Sequence, residues 1–137
     1  MNKNILITGG AGFIGSNFVN YWVKKYPMDK IVVLDSLSYA SNIVSLKPLI
    51  DRGLINFIRG NIKDYNLTLK IFNDFDIDHL INLAAESHVD RSIDDSIKFI
   101  ETNILGTYNL LEISKEYFSK LNSKNKDKFI FHHVSTD

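Results

Sequence analysis

Cysteine is absent from the 137 residues. Its absence excludes disulfides, thiolate metal sites and a cysteine nucleophile, and it fits a reducing compartment, so a cytoplasmic location is expected. Net charge is absent as well, with Lys plus Arg at 16 and Asp plus Glu at 16. No bulk attraction to nucleic acid or to an anionic membrane follows from that balance. No apolar run approaches the length of a membrane span. The N-terminal Ile5-Leu6-Ile7, which meets Thr8-Gly9-Gly10 at once, is too short for the apolar part of a signal peptide. No internal repeat occurs, and the only linker-like stretch, 122–128, reads as a surface loop.

What is present is an ordinary globular balance, 45% hydrophobic and 23% charged, over a length that suits one domain with a real core. Short apolar runs alternate with helical patterns. Strands are expected at 5–7, 31–34, 54–58, 79–83 and 129–134, nearly continuous in apolar character, as strands covered on both faces are. Helices are expected from about Ile14 to Trp22, at 42–51, at 65–74 with Asp64 as cap, and from Asp95 to Lys120. In the first, Ile14, Phe18, Tyr21 and Trp22 share one stripe that includes the core face. In the last, Ile97, Ile100, Ile104, Tyr108 and Leu111 step by three or four and predict one buried stripe. Gly106 inside that helix costs about 1 kcal/mol of propensity and is expected to allow close packing against a neighbour. Alternating strands and helices predict a doubly wound parallel α/β sheet of order 3-2-1-4-5, with a ligand crevice at the carboxyl ends of the strands.

Thr8-Gly9-Gly10-Ala11-Gly12-Phe13-Ile14-Gly15 follows the first strand and opens the first helix. In that context the first glycine permits a tight turn, Gly12 lets backbone approach a pyrophosphate and Gly15 lets helix and sheet pack closely. Asp35 ends the second strand 20 residues past Gly15. A carboxylate there accepts ribose hydroxyls and repels a 2′-phosphate, which favours NAD over NADP. The fourth strand runs into Leu83-Ala84-Ala85-Glu86-Ser87-His88-Val89-Asp90-Arg91-Ser92, small residues followed by a dense polar cluster at the expected crevice. Ser135-Thr136-Asp137 ends the fifth strand with a hydroxyl and a carboxylate suited to proton transfer. His132 and His133, adjacent in a strand, face opposite sides of the sheet and read as structural. No metal site is expected. Tyr21 with Lys25, and Tyr26 with Lys30, match Y-x-x-x-K, but neither pair is expected to reach the crevice.

These stretches, together with Ile100-Glu101-Thr102-Asn103 and Gly106-Thr107-Tyr108, closely resemble the extended short-chain dehydrogenase/reductase family. Within it they resemble the nucleotide-sugar 4,6-dehydratases of the dTDP-glucose type. The glycine motif belongs to the whole superfamily, whereas the run from Leu83 to Ile93 is far more specific. The resemblance covers the whole chain and corresponds to the N-terminal portion of the family's enzymes. It implies a Rossmann fold, incomplete at its C-terminal side, in which residues 1–137 bind NAD and a sugar-nucleotide domain lies outside them.

The resemblance assigns Phe13 and Ile14 to the pyrophosphate turn and Asp35, Ser36, Leu37 and Ser38 to the adenosine ribose. It assigns Asn61 and Ile62 to the adenine. Leu83, Ala84, Ala85, Ser87 and Thr102 would border the cofactor, with Ser87, His88 and Thr136 toward the sugar. Thr136 looks like the hydroxyl of the set that oxidises the sugar at C4, and Asp137 like the acid that protonates the departing C6 hydroxyl. The implied reaction oxidises C4, eliminates water across C5 and C6 and reduces C6, giving a 4-keto-6-deoxy sugar nucleotide with NAD unchanged. Asn61 stands where the family usually has Asp, and Ser41 where it usually has Gly. The elimination base, and the Tyr and Lys of the oxidation step, lie beyond Asp137 in the family, so these 137 residues are expected to bind NAD without turnover. A homodimer built through long helices is implied, with 95–120 the candidate surface. Two other readings stay open: an epimerase or decarboxylase with the same cofactor half, and a binding module without catalysis.

Overall fold

The computed structural model describes residues 2–39, 41–87 and 95–135. Its strands are β1 (Asn4–Thr8), β2 (Lys30–Asp35), β3 (Asn56–Arg59), β4 (His79–Asn82) and β5 (Ile130–His133). They form one parallel sheet in the order β3-β2-β1-β4-β5, the order that the alternation of strands and helices predicts. Register is direct, with Ile7 beside Val33 on one side and Ile81 on the other.

Alternation along the strands divides the core in two. Leu6, Val32, Leu34 and Leu80 face one side, where α3 (Tyr65–Asp74) contributes Ile71 and Phe72 and α5 (Thr107–Lys120) contributes Leu110, Ile113 and Tyr117. Ile5, Ile7, Ile31, Val33 and Ile81 face the other, against Val19 of α1 (Phe13–Lys25) and Leu49 of α2 (Lys47–Asp51). Covering both faces is what a continuous apolar strand requires. Asp64 caps α3 by accepting the Leu67 N–H at 3.0 Å. The Tyr65 hydroxyl donates to Glu116, joining α3 to α5. Hydrogen bonds from Lys120 and Tyr65 hold the Glu116 carboxyl below its ordinary range.

Several expectations need correction. The stretch 42–51 is two pieces, a 3-10 turn (Ile43–Ser45) and α2. Pro48 has no N–H to donate and fits only the first turn of a helix, so α2 restarts there. The third strand begins at Asn56, later than expected, and the presumed loop 122–128 contains a helical turn, α6 (Ser123–Lys126), capped by the Asn122 side chain. Tyr21 is exposed rather than on the core stripe of α1; Gly15, Ser16 and Val19 are the buried residues of that helix.

The largest correction concerns 95–120. It is α4 (Ser96–Phe99), a π-helical segment (Ile100–Gly106) and then α5. Ile97, Ile100, Ile104, Tyr108 and Leu111, expected to be buried, are each at least 48% exposed. The stripe that meets the sheet is Gly106, Leu110, Ile113 and Tyr117. Both stripes have helical spacing, and the volume available decides between them. A Cβ on Gly106 would lie 2.4 Å from Ile62 Cδ1, so the missing side chain is what lets this helix approach. β5 leaves its outer edge and Ile130 exposed. Among the described residues no helix is long and apolar enough to cross a membrane.

Candidate functional site

A cleft opens at the carboxyl ends of β1, β2 and β4, where open α/β sheets bind their ligands. Its floor is the turn after β1. Gly9 takes φ +70°, and a Cβ there would lie 2.6 Å from the Ala84 backbone. Its N–H donates to the Leu34 carbonyl at 3.0 Å, and its carbonyl accepts from Gly12 N–H at 3.2 Å. Gly15 lies beneath this turn, where a Cβ would stand 2.1 Å from the Gly9 oxygen. The two glycines therefore do what the spacing predicts: one turns the chain and the other lets α1 start against the turn. With Gly12 as N-cap, no side-chain oxygen takes up the first-turn N–H groups, and that turn holds no acidic residue. Such a helix end suits an anion.

Asp35 stands opposite, 5% exposed. Its Oδ2 accepts from Ala11 N–H at 2.9 Å, and its Oδ1 accepts from Leu37 N–H and the Ser41 hydroxyl, both at 2.8 Å. A carboxylate has about four acceptor positions. Three are taken, leaving one on Oδ2 beside the cleft. Leu37 reaches its bond by adopting φ +56°, a conformation rare for a branched residue and found where surroundings enforce it. Its side chain packs against the α1 face of the core. Leu37, assigned to the ribose by the resemblance, is not in the cleft lining; its N–H orients Asp35.

Ser36, Ser38, Asn61, Ile62, Leu83, Ala84, Ala85 and Thr102, all assigned from the sequence, line the cleft with Gly9, Gly12 and Asp35. Asn61 Oδ1 accepts from Lys63 N–H at 2.9 Å, and Asn109 Nδ2 donates to the Ile62 carbonyl at 2.6 Å, fixing that loop to α5. Phe13 and Ile14 open α1 with their side chains in solvent. They do not line the cleft, and what they offer it is backbone N–H. Gly15 and Ser87 are not in the lining either. His88, Thr136 and Asp137 lie outside the described residues. Lys25 Nζ donates to Tyr21 OH at 2.6 Å on exposed surface, and neither Y-x-x-x-K pair borders the cleft.

Sequence reasoning passed over several residues. Ser41, noted only as a departure, lines the cleft and bonds Asp35. Asn82, fully buried, accepts from Thr8 Oγ1 and Ala84 N–H and donates from Nδ2 to His133 Nδ1 at 3.0 Å, tying β1, β4 and β5 together below the cleft. A polar residue ending an apolar strand was the available signal. Glu86 also borders the cleft, and Asn103 bonds its backbone.

A family model described as GDP-mannose 4,6 dehydratase matches residues 6–137. The dTDP-glucose 4,6-dehydratase of Salmonella typhimurium is 48% identical over 133 residues, covering 97% of this chain and 37% of its own length. The crystal structure of Bacillus anthracis dTDP-glucose 4,6-dehydratase in complex with NAD is 36% identical at a TM-score of 0.81, over 98% of this chain and 37% of that one. The UDP-glucose 4-epimerase of Thermotoga maritima, solved with UDP-glucose, is 32% identical at a TM-score of 0.73, over 83% of this chain and 34% of that one. The chain thus spans little more than a third of the length of the first two. Given the match over residues 6–137 and a fold that agrees with it, the chain belongs to the GDP-mannose 4,6 dehydratase family.

Proposed function

We propose that the cleft binds NAD and that the chain supplies the cofactor half of a 4,6-dehydration of a nucleotide-linked glucose of the dTDP-glucose type. The observation that carries this reading is the pairing of a turn that admits no Cβ at Gly9 or Gly15 with the buried Asp35 carboxylate facing it. The turn suits a pyrophosphate, and the remaining acceptor on Asp35 suits a ribose hydroxyl. A 2′-phosphate would meet the carboxylate's charge. NAD, when bound, supplies hydride removal and return, which no side chain can perform. Ser36 and Ser38 would border the adenosine ribose, Asn61 and Ile62 the adenine, and Ala84, Ala85 and Thr102 the remainder of the cofactor. Ser87, His88 and Thr136 are assigned to the sugar by their motif positions. Thr136 would serve the C4 oxidation, and Asp137 would protonate the departing C6 hydroxyl.

In this reading residues 1–137 are the NAD-binding domain of a cytoplasmic enzyme, and they hold NAD without turnover. The Bacillus dehydratase structure exceeds the Thermotoga epimerase structure in both identity and TM-score, 36% and 0.81 against 32% and 0.73, which supports dehydration over epimerisation. Incubating the chain with NAD and dTDP-glucose and following the sugar by NMR tests this. The expected result is bound NAD and unchanged sugar; a 4-keto-6-deoxy product would overturn the binding-only part.

The exposed stripe Ile97, Ile100, Ile104, Tyr108 and Leu111 supports a homodimer packed through this helix. Sedimentation should show a dimer for the unaltered chain and a monomer for Leu111→Glu, because a carboxylate buried without a partner is costly at such an interface. A monomer in both cases would dismiss the dimer.

A further inference from the structure

Tyr39, Glu86 and Asn103 are far apart in the chain, and the fold brings them into one line of contacts. The Asn103 amide makes both of its bonds to the backbone of a single residue. Its Oδ1 accepts Glu86 N–H at 2.8 Å, and its Nδ2 donates to the Glu86 carbonyl at 2.9 Å. A primary amide carries an acceptor and a donor side by side, as this pairing requires. Asn103 lies in the π-helical segment Ile100–Gly106, a local widening often found at functional sites. Glu86 belongs to the wall of the cleft that follows β4, with Leu83, Ala84 and Ala85. From there its Oε2 accepts a hydrogen bond from Tyr39 OH at 3.1 Å. Tyr39 follows β2, on the loop that supplies Ser36, Ser38 and Ser41 to the opposite wall.

We propose that Asn103 and Tyr39 are positioning residues that act through Glu86 to clasp the two walls of the cleft around a bound dinucleotide and slow its release. The proposal rests on the NAD reading above. With the Glu86 backbone held at both its N–H and its carbonyl, less freedom is lost when its side chain meets Tyr39. The Tyr39–Glu86 bond is exposed, so it opens readily to admit a ligand, and its effect falls on dissociation.

Stopped-flow release of NADH from the full chain tests this, alongside thermal melting. Tyr39→Phe and Glu86→Ala should each speed release about three- to ten-fold, the effect of one hydrogen bond, with the melting temperature unchanged. Glu86→Gln keeps an acceptor oxygen and should restore slow release. Asn103→Asp preserves shape but sets an oxygen against the Glu86 carbonyl, and it should also speed release. Tyr39→Phe releasing NADH at the unaltered rate, or Glu86→Gln behaving as Glu86→Ala, would overturn the clasp while leaving NAD binding intact. An unaltered chain that binds no NADH would overturn the cofactor reading and the clasp with it.

Discussion

Gly15→Ala should unfold or severely loosen the turn after β1 and abolish NADH binding. Helix propensity alone points the other way, because alanine within a helix is favoured over glycine by about 1 kcal/mol. Packing opposes it. The added Cβ would stand 2.1 Å from the Gly9 carbonyl oxygen and 2.7 Å from Gly10 Cα, both backbone atoms that cannot rotate aside. Overpacking of this kind costs about 1–3 kcal/mol and occasionally more, so the net change should be destabilising. Relief of the clash would push the Gly9–Gly12 turn toward Ala84 and close the cleft floor. Gly53 provides the control. It has φ +65° but nothing within 4 Å of an added Cβ. Gly53→Ala should therefore cost only the backbone strain, about 1–2 kcal/mol, and leave NADH binding unchanged. Urea melts and NADH titrations of both variants decide the matter; a Gly15→Ala chain that is more stable and still binds would show that the close approach does not exist.

Asp35→Ala should be the second most damaging change, acting on stability and binding together. It strands the buried N–H of Ala11 and that of Leu37, and it removes the acceptor for the Ser41 hydroxyl. Each unsatisfied buried donor costs about 1–3 kcal/mol. Losing these bonds also releases Leu37 from its φ of +56°, so the loop bearing Ser36 and Ser38 should relax. NADH affinity should fall by about 100-fold, the equivalent of one charge-assisted bond to ribose. Asp35→Asn separates the two effects. Its amide NH2 must face either Ala11 N–H or the Leu37 N–H and Ser41 pair. The Ser41 hydroxyl can turn to accept, but the backbone donors cannot. Asp35→Asn should accordingly be intermediate in denaturant midpoint and in affinity. If Asp35→Asn matched the unaltered chain in both, the buried carboxylate would not be organising this site.

Much of this arrangement is legible in the sequence because it is local or periodic. The strand order follows from five apolar runs joined by helices. The Asp64 cap, the glycine turn and Asp35 at the end of β2 are short-range signals that the fold preserves. The facing of the long helix is not legible in the same way. Ile97 to Leu111 and Gly106 to Tyr117 are both helical stripes, and only the space left by Gly106 over Ile62 selects between them. Bonds between distant segments were equally hidden. Asn103 on Glu86, Asn109 on Ile62 and Asn82 on His133 each join a side chain to a residue at least 17 positions away. The left-handed Leu37 is invisible for another reason: leucine carries no preference for that conformation, which is imposed by the Asp35 carboxylate and the packing beneath.

The central claim is that this cleft holds NAD through the glycine turn and Asp35. Titration of the purified chain with NADH and, separately, with NADPH, followed by cofactor fluorescence, tests it most directly. Saturable NADH binding is predicted, with NADPH much weaker because its 2′-phosphate would face the Asp35 carboxylate. Equal affinity for the two cofactors, or no binding of either, would contradict it.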